Sequence, residues 1–185
     1  MDRHDPSKKN CSNIPIKNLD IPLERDIFSR SIIRELTGLL EEMIGLEEAS
    51  GYISVVGQRI ATEIDSQYKN VLKVDRLNKQ QISDVLIDLK TRIKGGFHVI
   101  EANENKIVMG NSVCPFGDKS KNRPSLCMMT SNVFGTIAAD NAGYAKVVLD
   151  KTIARGDPSC LVTVYFNETE EAKVDDGKEY YRAGA

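Results

Sequence analysis

The stretch at residues 79–110, KQQISDVLIDLKTRIKGGFHVIEANENKIVMG, shows where one kind of secondary structure gives way to another. Its apolar residues first recur at three- and four-residue spacings, which is typical of one face of a helix over about Lys79–Ile93. Two glycines then end the helix. Beyond them the period changes, and Phe97–Glu101 and Lys106–Gly110 are predicted to form a hairpin around a short polar turn. A helix followed directly by a hairpin favours an α+β fold.

Two further helices are predicted upstream of this stretch. The first begins near Glu24 and ends at Gly45, and its apolar residues lie on one face at helical spacing: Phe28, Ile32, Leu36, Leu39 and Met43. The second spans roughly Leu46–Val71 and contains Gly51 and Gly57. Because a glycine inside a helix costs about 1 kcal/mol relative to alanine, each indicates either a close approach of another backbone or ligand, or a tolerated kink.

The same pattern continues downstream. A fourth helix is predicted over roughly Pro124–Asn141, with a proline in its first turn. Two strands follow, at Tyr144–Leu149 and Leu161–Phe166. We therefore expect an α+β fold in which N-terminal helices pack on an antiparallel sheet of about four strands, arranged as two hairpins separated by a helix.

The composition is that of an ordinary globular chain. Its 185 residues are 41% apolar and 28% charged, and one domain is expected. We predict a loose arm at residues 1–24, a ligand-binding domain at 25–167 and a polar tail at 168–185. The formal net charge of −2, with no tryptophan and 6% aromatic residues, gives no basis for nucleic-acid binding.

The compartment follows from two features of the sequence. The apolar runs are far shorter than the ~20 residues that a membrane span needs, and the polar N-terminus lacks the apolar segment of a secretory signal. We therefore expect a cytoplasmic protein without membrane contact. In that compartment its cysteines are thiols or metal ligands rather than disulfides.

Familiar catalytic signatures are missing from the chain. It has no phosphate loop, dinucleotide fingerprint, nucleophile elbow, His-Glu-x-x-His or Cys-x-x-Cys motif. Two histidines, His4 and His98, leave little material for a histidine-based centre. The sequence thus leans away from an enzyme, with a small lyase or reductase accessory protein kept as one alternative.

Three of the four cysteines lie at the edges of predicted elements. Cys114 follows the first hairpin, Cys127 lies in the first turn of the fourth helix, and Cys160 begins the last strand. The positive end of a helix favours a thiolate, and thiolates bind zinc and iron–sulfur clusters. The three could converge if the hairpins flank the helix. Against this, the spacings match no standard zinc motif, and free cysteines are often small buried apolar residues.

Several of these segments also resemble a known family. Cys-Pro-Phe-Gly at 114–117, the helix Pro124–Gly135 and the turn Ile153–Asp157 resemble the methanogen output domain. The pattern from Gly156 through Cys160 is similar to that of the vinyl-4-reductase-type small-molecule-binding superfamily, of which that domain is a relative. The resemblance covers roughly residues 25–167.

This resemblance implies a regulatory sensor rather than an enzyme. Members of the superfamily bind small hydrophobic molecules between helices and sheet and relay occupancy to an output module. In phenol-sensing relatives, cysteines near the pocket hold a zinc ion. Cys127 and Cys160 match two such positions and Asp150 matches an acidic one. The third cysteine of the relatives is missing here, and Cys114 is the candidate replacement.

The candidate site therefore has two parts. The candidate metal ligands are Cys114, Cys127 and Cys160, for zinc or alternatively an iron–sulfur cluster. Asp150 and His98 are weaker candidates for a fourth ligand, and a water, substrate or small molecule is the alternative. The candidate wall of a pocket for a small apolar molecule is Met128, Met129, Phe134 and Gly135, since methionines adapt to irregular ligands. Core packing is the competing interpretation for these four residues.

The predicted function is a cytoplasmic sensor domain that signals through a separate output protein. The long N-terminal helix offers a surface for a homodimer. The main alternative is a metal-free redox or nitrosative sensor with exposed, low-pKa thiols. A purely structural interaction module is a further possibility.

Overall fold

The computed structural model describes residues 20–182, so most of the predicted N-terminal arm lies outside the described residues. Two short 3-10 turns, at Gly117–Ser120 and Ile153–Arg155, accompany the regular elements. The helices and strands, in chain order, are α1 Arg25–Leu72, α2 Lys79–Arg92, β1 His98–Ala102, β2 Lys106–Asn111, α3 Ser125–Ala142, β3 Tyr144–Lys151, β4 Cys160–Tyr165, α4 Glu170–Val174 and β5 Lys178–Tyr181.

Helix α1 consists of two helical segments joined at a kink. Gly45 has φ 84° and ψ 164° inside the helix, a conformation that only glycine adopts at little cost. The two upstream helices predicted on either side of Gly45 are therefore confirmed. The structure adds that they follow one another directly, with no connecting loop.

The buried face of α1 is built from small residues. Ala49, Gly57 and Ala61 are buried and lie at helical spacing. A Cβ atom on Gly57 would lie 2.9 Å from the Cβ atom of Asn132 in α3, so this glycine permits a close helix–helix approach. Gly51 has no neighbour within 4 Å of such an atom and is a tolerated glycine.

The sheet is antiparallel throughout, with strand order β1-β2-β4-β3-β5. Both predicted hairpins are present, and pairing of β2 with β4 joins them into one sheet. The predicted α+β class is thus confirmed.

A fifth strand comes from the region predicted as a polar tail. Residues 168–182 contain α4 and β5, and β5 pairs with β3 so that Tyr180 lies opposite Ala145. The Tyr180 ring is buried against Gly135, and its hydroxyl lies 2.8 Å from Ser131 Oγ. Burial of one tyrosine ring and its hydroxyl thus attaches this polar segment to the sheet.

Helix α3 occupies the middle layer of the fold. It contacts α1, α2, β3 and β5, and most of its residues are buried. A helix that is apolar on all sides is typical of such a position. Phe134, Ile137 and Ala138 are fully buried in the main core. The first turn of α3, which carries Cys127, lies beside the loop that carries Cys114 and the start of β4, which carries Cys160.

Candidate functional site

Three thiols line one small cavity. Cys114 comes from the loop after β2, Cys127 from the first turn of α3, and Cys160 from the first residue of β4. All three are partly buried and free of disulfides. The cavity has a volume of about 40 Å³. We call it the thiol cavity.

Backbone contacts hold Cys114 and Cys160 in place. Sheet register places Cys160 opposite Asn111, at the end of β2. Both amide hydrogens of Asn111 are used, since its Nδ2 donates to Gly95 O at 2.9 Å and to Val113 O at 2.8 Å. Next to Cys114, Gly117 turns the chain with φ 56° and donates its N–H to the Cys114 carbonyl at 2.8 Å. The cavity is therefore anchored by ordinary secondary-structure and turn contacts.

The walls of the thiol cavity are mostly apolar. The apolar lining residues are Phe97, Pro115, Phe116, Leu126, Leu149 and Val162, and the polar ones are Asn111, Ser120, Thr130 and Thr152. Asn111 is 2% exposed, and its Oδ1 atom has no hydrogen-bond partner within residues 20–182. A buried acceptor of this kind is available to a ligand or to water.

A lysine lies behind one wall of the cavity. Lys90 is 4% exposed, and its Nζ donates to Thr130 Oγ1 at 2.9 Å. The ammonium also lies 5.2 Å and 5.0 Å from the ring centroids of Phe97 and Phe134. Lys90 takes part in none of the ion pairs formed across the described part of the chain. Burial lowers the pKa of Lys90 to about 8, while the neighbouring thiols act in the opposite direction when ionised.

Burial favours the protonated form of two of these thiols, those of Cys127 and Cys160. Burial raises the pKa of Cys127 to about 11, and the nearby Thr152 hydroxyl offsets this only in part. Burial likewise raises the pKa of Cys160, against a 3.5 Å hydrogen bond that the Ile153 N–H donates to its Sγ atom. The expectation that the helix N-terminus would favour a thiolate at Cys127 is therefore outweighed by desolvation.

Asp150 and His98 lie away from the thiol cavity. Asp150 is exposed on β3, where it accepts a hydrogen bond from Thr163 Oγ1 at 3.2 Å, and it lines a separate polar groove. His98 is exposed on the edge strand β1, opposite Gly110. Neither residue is among those that line the thiol cavity.

The four proposed pocket-wall residues face other parts of the molecule. Met128 lines the same groove as Asp150. Met129 lies against Gly57 of α1, and Phe134 is fully buried with an edge-to-face contact to Phe97 at 5.8 Å. A Cβ atom on Gly135 would lie 2.2 Å from the Tyr180 ring. The structure therefore places Met129, Phe134 and Gly135 in packing contacts and Met128 in that groove, and the wall of the thiol cavity is built from other residues.

The sulfur atoms are not arranged as a finished metal site. Among residues 20–182, no group of three or more His, Cys, Asp or Glu side chains is placed to hold an ion directly. The donor types nevertheless fit a soft divalent ion, because three thiols share one cavity with an unpaired buried acceptor. Binding one ion would require side-chain rotation into the cavity.

Sequence reasoning did not identify the polar residues of this site. A signal for Lys90 is present, because it continues the row Ile82–Leu86 at a spacing of four residues on the buried face of α2. A lysine in such a row is buried with the helix face that carries it. Asn111, Thr130 and Thr152 give no comparable signal, since their roles depend on how separate elements meet.

Comparisons with known proteins identify the class of this fold. The family model for methanogen output domain 1 matches residues 32–165, which is more than half of the chain. The chain therefore belongs to the methanogen output domain 1 family, and the predicted resemblance to the methanogen output domain is confirmed. Membership of an output-domain family makes it a small regulatory domain. No curated protein matches the sequence.

Solved structures share the fold at low identity. One is a trafficking protein particle complex subunit 3 from Naegleria fowleri, covalently bound to palmitic acid. It is 10% identical to this chain, with a TM-score of 0.52, and the match covers 84% of this chain and 98% of that one. The neighbour is a subunit of a protein complex. Within the described residues, none of the helices has both the length and the apolar character to cross a membrane.

Proposed function

We propose that this chain is a cytoplasmic regulatory domain that binds a thiophilic metal ion, zinc in the first place, in the thiol cavity and signals the bound state to protein partners. The observation that carries this proposal is the convergence of Cys114, Cys127 and Cys160, from three separate segments, on one cavity. Soft thiolates are the preferred ligands of zinc.

The size and lining of the cavity support an ion with few attached atoms. A volume of about 40 Å³ has room for an ion and one or two waters. Asp150 lies in a separate groove, so the fourth position falls to water or a small ligand, with Asn111 Oδ1 available to accept its hydrogen bond. An iron–sulfur cluster is the alternative cofactor, although it ordinarily takes four cysteine ligands.

A direct mechanical path leads from the cavity to α1. The loop that begins at Cys114 continues to Arg123, and Arg34 of α1 donates to Lys119 O at 2.6 Å and to Lys121 O at 2.9 Å. At the end of this loop, Arg123 Nη1 lies 3.7 Å from Oε2 of Glu41, which is on α1. A ligand that pulls Cys114 inward would therefore shift the loop against the N-terminal half of α1. The size of this shift depends on how much more tightly the ligand binds one position of the loop than the other.

The N-terminal half of α1 is the proposed partner surface. The apolar row predicted from the sequence is exposed, with Phe28 at 56%, Leu36 at 58% and Met43 at 72%. An exposed row of this length marks an interaction site. We propose that a second copy covers it, because one row that pairs with itself across a two-fold axis completes a homodimer. We expect the wild type to be a dimer and the double variant Leu36→Glu, Met43→Glu to be a monomer by light scattering. If both have the same molar mass, this row is not the dimer contact and is assigned instead to a separate signalling protein.

A small apolar molecule is the second candidate ligand. The apolar wall supports it, and so does the fold neighbour that carries palmitic acid. The size of the cavity opposes it, because dry cavities that admit benzene are about 150 Å³. An apolar ligand of that size would first have to open the space between Phe97, Leu126 and Val162.

A metal-free thiol sensor is less well supported. Reactive cysteines need a lowered pKa and access to solvent. Burial instead raises the pKa of Cys127 to about 11 and that of Cys160 in the same direction. The protonated thiol is the weaker nucleophile, so these residues are better suited to ligation driven by a metal than to direct oxidation.

The proposal is tested by the metal and sulfide content of anaerobically purified protein. The test variant carries Cys114→Ser, Cys127→Ser and Cys160→Ser, and Cys11→Ser serves as the matched control. One equivalent of zinc in the wild type and the control, lost in the triple variant, supports the proposal. Equimolar iron and sulfide would favour the cluster. A folded, metal-free wild type that takes up no added zinc would refute metal binding.

A further inference from the structure

Lys90 carries a buried positive charge beside the thiol cavity. Its ammonium is buried behind the thiol cavity and is hydrogen-bonded to a neutral hydroxyl, that of Thr130. Two aromatic faces give it additional cation–π stabilisation without an opposite formal charge. A buried charge without an ionic partner is costly, and proteins normally pair such a charge or place it in water.

Among the described residues, no carboxylate lines the thiol cavity to balance this charge, whereas a bound metal with its thiolate ligands would balance it. A divalent ion with three thiolates carries a net charge of −1. Together with Lys90 the assembly would be neutral, which removes the penalty that the metal-free protein carries. Thr130 connects the two, because it lines the cavity and accepts the hydrogen bond from Lys90 Nζ.

We propose that Lys90 is the charge-balancing residue of the thiol cavity, favouring the state in which Cys114, Cys127 and Cys160 are thiolates bound to a divalent ion. This inference rests on the proposed function and deepens it. Lys90 acts through space and through Thr130, without being a ligand. It also gives the site a preference, since neutral apolar ligands would leave the lysine charge unbalanced.

A structural role for Lys90 is the competing explanation. Its stem packs on α2 beside Phe97 and Phe134, so a variant could act through packing alone. Lys90→Met separates the two roles, because methionine keeps an unbranched apolar stem and removes the charge together with its hydrogen bond to Thr130. Lys90→Arg keeps the charge. Lys173→Met, at a side chain that is 57% exposed on α4, is the matched control for loss of one positive charge.

The test is a zinc affinity measured by competition with a chelator, using the full chain in reduced, metal-free form. We expect Lys90→Met to bind zinc roughly 10- to 100-fold more weakly than wild type, the usual range for groups that support metal ligands from outside. Lys173→Met should bind within about twofold of wild type, and Lys90→Arg should recover part of the loss. The metal-free Lys90→Met protein should unfold at the same or a higher temperature than the wild type.

Three outcomes overturn the inference, and they are distinguishable. Equal zinc affinity in wild type and Lys90→Met shows that Lys90 has no influence on the metal, while the proposed function stands. Weaker binding with a lowered unfolding temperature, in the absence of metal, assigns the effect to packing. A wild type that binds no zinc refutes the proposed metal function and the inference with it.

Discussion

Replacing Lys90 with methionine should make the metal-free protein more stable. Burial lowers the pKa of Lys90 from 10.5 to about 8. Each pKa unit corresponds to 1.36 kcal/mol, so carrying the charge in the folded state costs on the order of 3 kcal/mol at pH 7. Loss of the hydrogen bond to Thr130 removes about 1 kcal/mol from the gain. We expect Lys90→Met to raise the free energy of unfolding by about 2 kcal/mol.

The pH dependence gives this prediction its sign. Because the folded pKa of Lys90 is the lower one, the unfolded chain holds more protons between pH 8 and 10.5. The free-energy cost of burying the charged Lys90 is therefore largest below pH 8, and it decreases as the pH rises from 8 to 10.5. Cys127 has the opposite effect on the free energy of unfolding above pH 9. Its pKa is raised from 9.0 to about 11, so the folded protein holds the thiol proton to a higher pH than the unfolded chain does. Comparing variant with wild type cancels the cysteine contribution.

The assay is urea unfolding with a reductant and a metal chelator at pH 7, 8 and 9. The stability advantage of Lys90→Met over wild type should shrink by about 1 kcal/mol between pH 7 and pH 9. Lys173→Met, at an exposed position, should stay within about 0.5 kcal/mol of wild type at each pH. A less stable Lys90→Met, or an advantage that is constant with pH, would refute the reasoning.

Two further predictions concern the scaffold. Gly135→Ala should lower the free energy of unfolding by roughly 1–3 kcal/mol, because the added Cβ would meet the Tyr180 ring at 2.2 Å, whereas Gly51→Ala should be neutral or stabilise by about 1 kcal/mol. An equal effect of both changes in urea unfolding would contradict the packing described for β5. Asn141→Ala should cost roughly 2–4 kcal/mol by calorimetry, since it leaves the buried Leu77 N–H without its 2.8 Å acceptor.

Local periodicity was sufficient to predict much of the fold. The switch from helical spacing to alternation at Gly95–Gly96, and the break at Gly45, are both encoded within a few residues. The strand at Lys178–Tyr181 is different. It is four residues long, and its burial depends on a glycine of α3 that is distant in sequence, so no local pattern predicts it.

Periodicity identified an apolar face on α1 but not what covers it. The row that contains Leu36 and Met43 is exposed, while Thr37 and Gly38 are buried on the opposite side. A polar loop covers that side, with the Arg123 guanidinium within 3 Å of a Cβ atom built on Gly38. A sequence pattern cannot distinguish a face that meets the core of its own chain from one that is left for a partner.

The sequence was sufficient to predict the three cysteines of the candidate site, but not the other residues that line the cavity. Cysteines at the ends of predicted elements meet because those ends meet in an α+β fold. Met129 and Phe134 were proposed as pocket residues from their proximity to Cys127 in sequence. On a helix buried on all sides, neighbours in sequence point in different directions, so they pack against α1 and the sheet core instead.

The central claim is that three thiols from three segments act as one metal site. Cobalt(II) titration of the reduced protein tests it most directly, because thiolate-to-cobalt charge transfer scales with the number of bound sulfurs. The account predicts one equivalent of cobalt in wild type, with the charge-transfer intensity lowered by about one third in each of Cys114→Ser, Cys127→Ser and Cys160→Ser. A spectrum without charge-transfer bands, or one that is unaffected by any of the three substitutions, would contradict it.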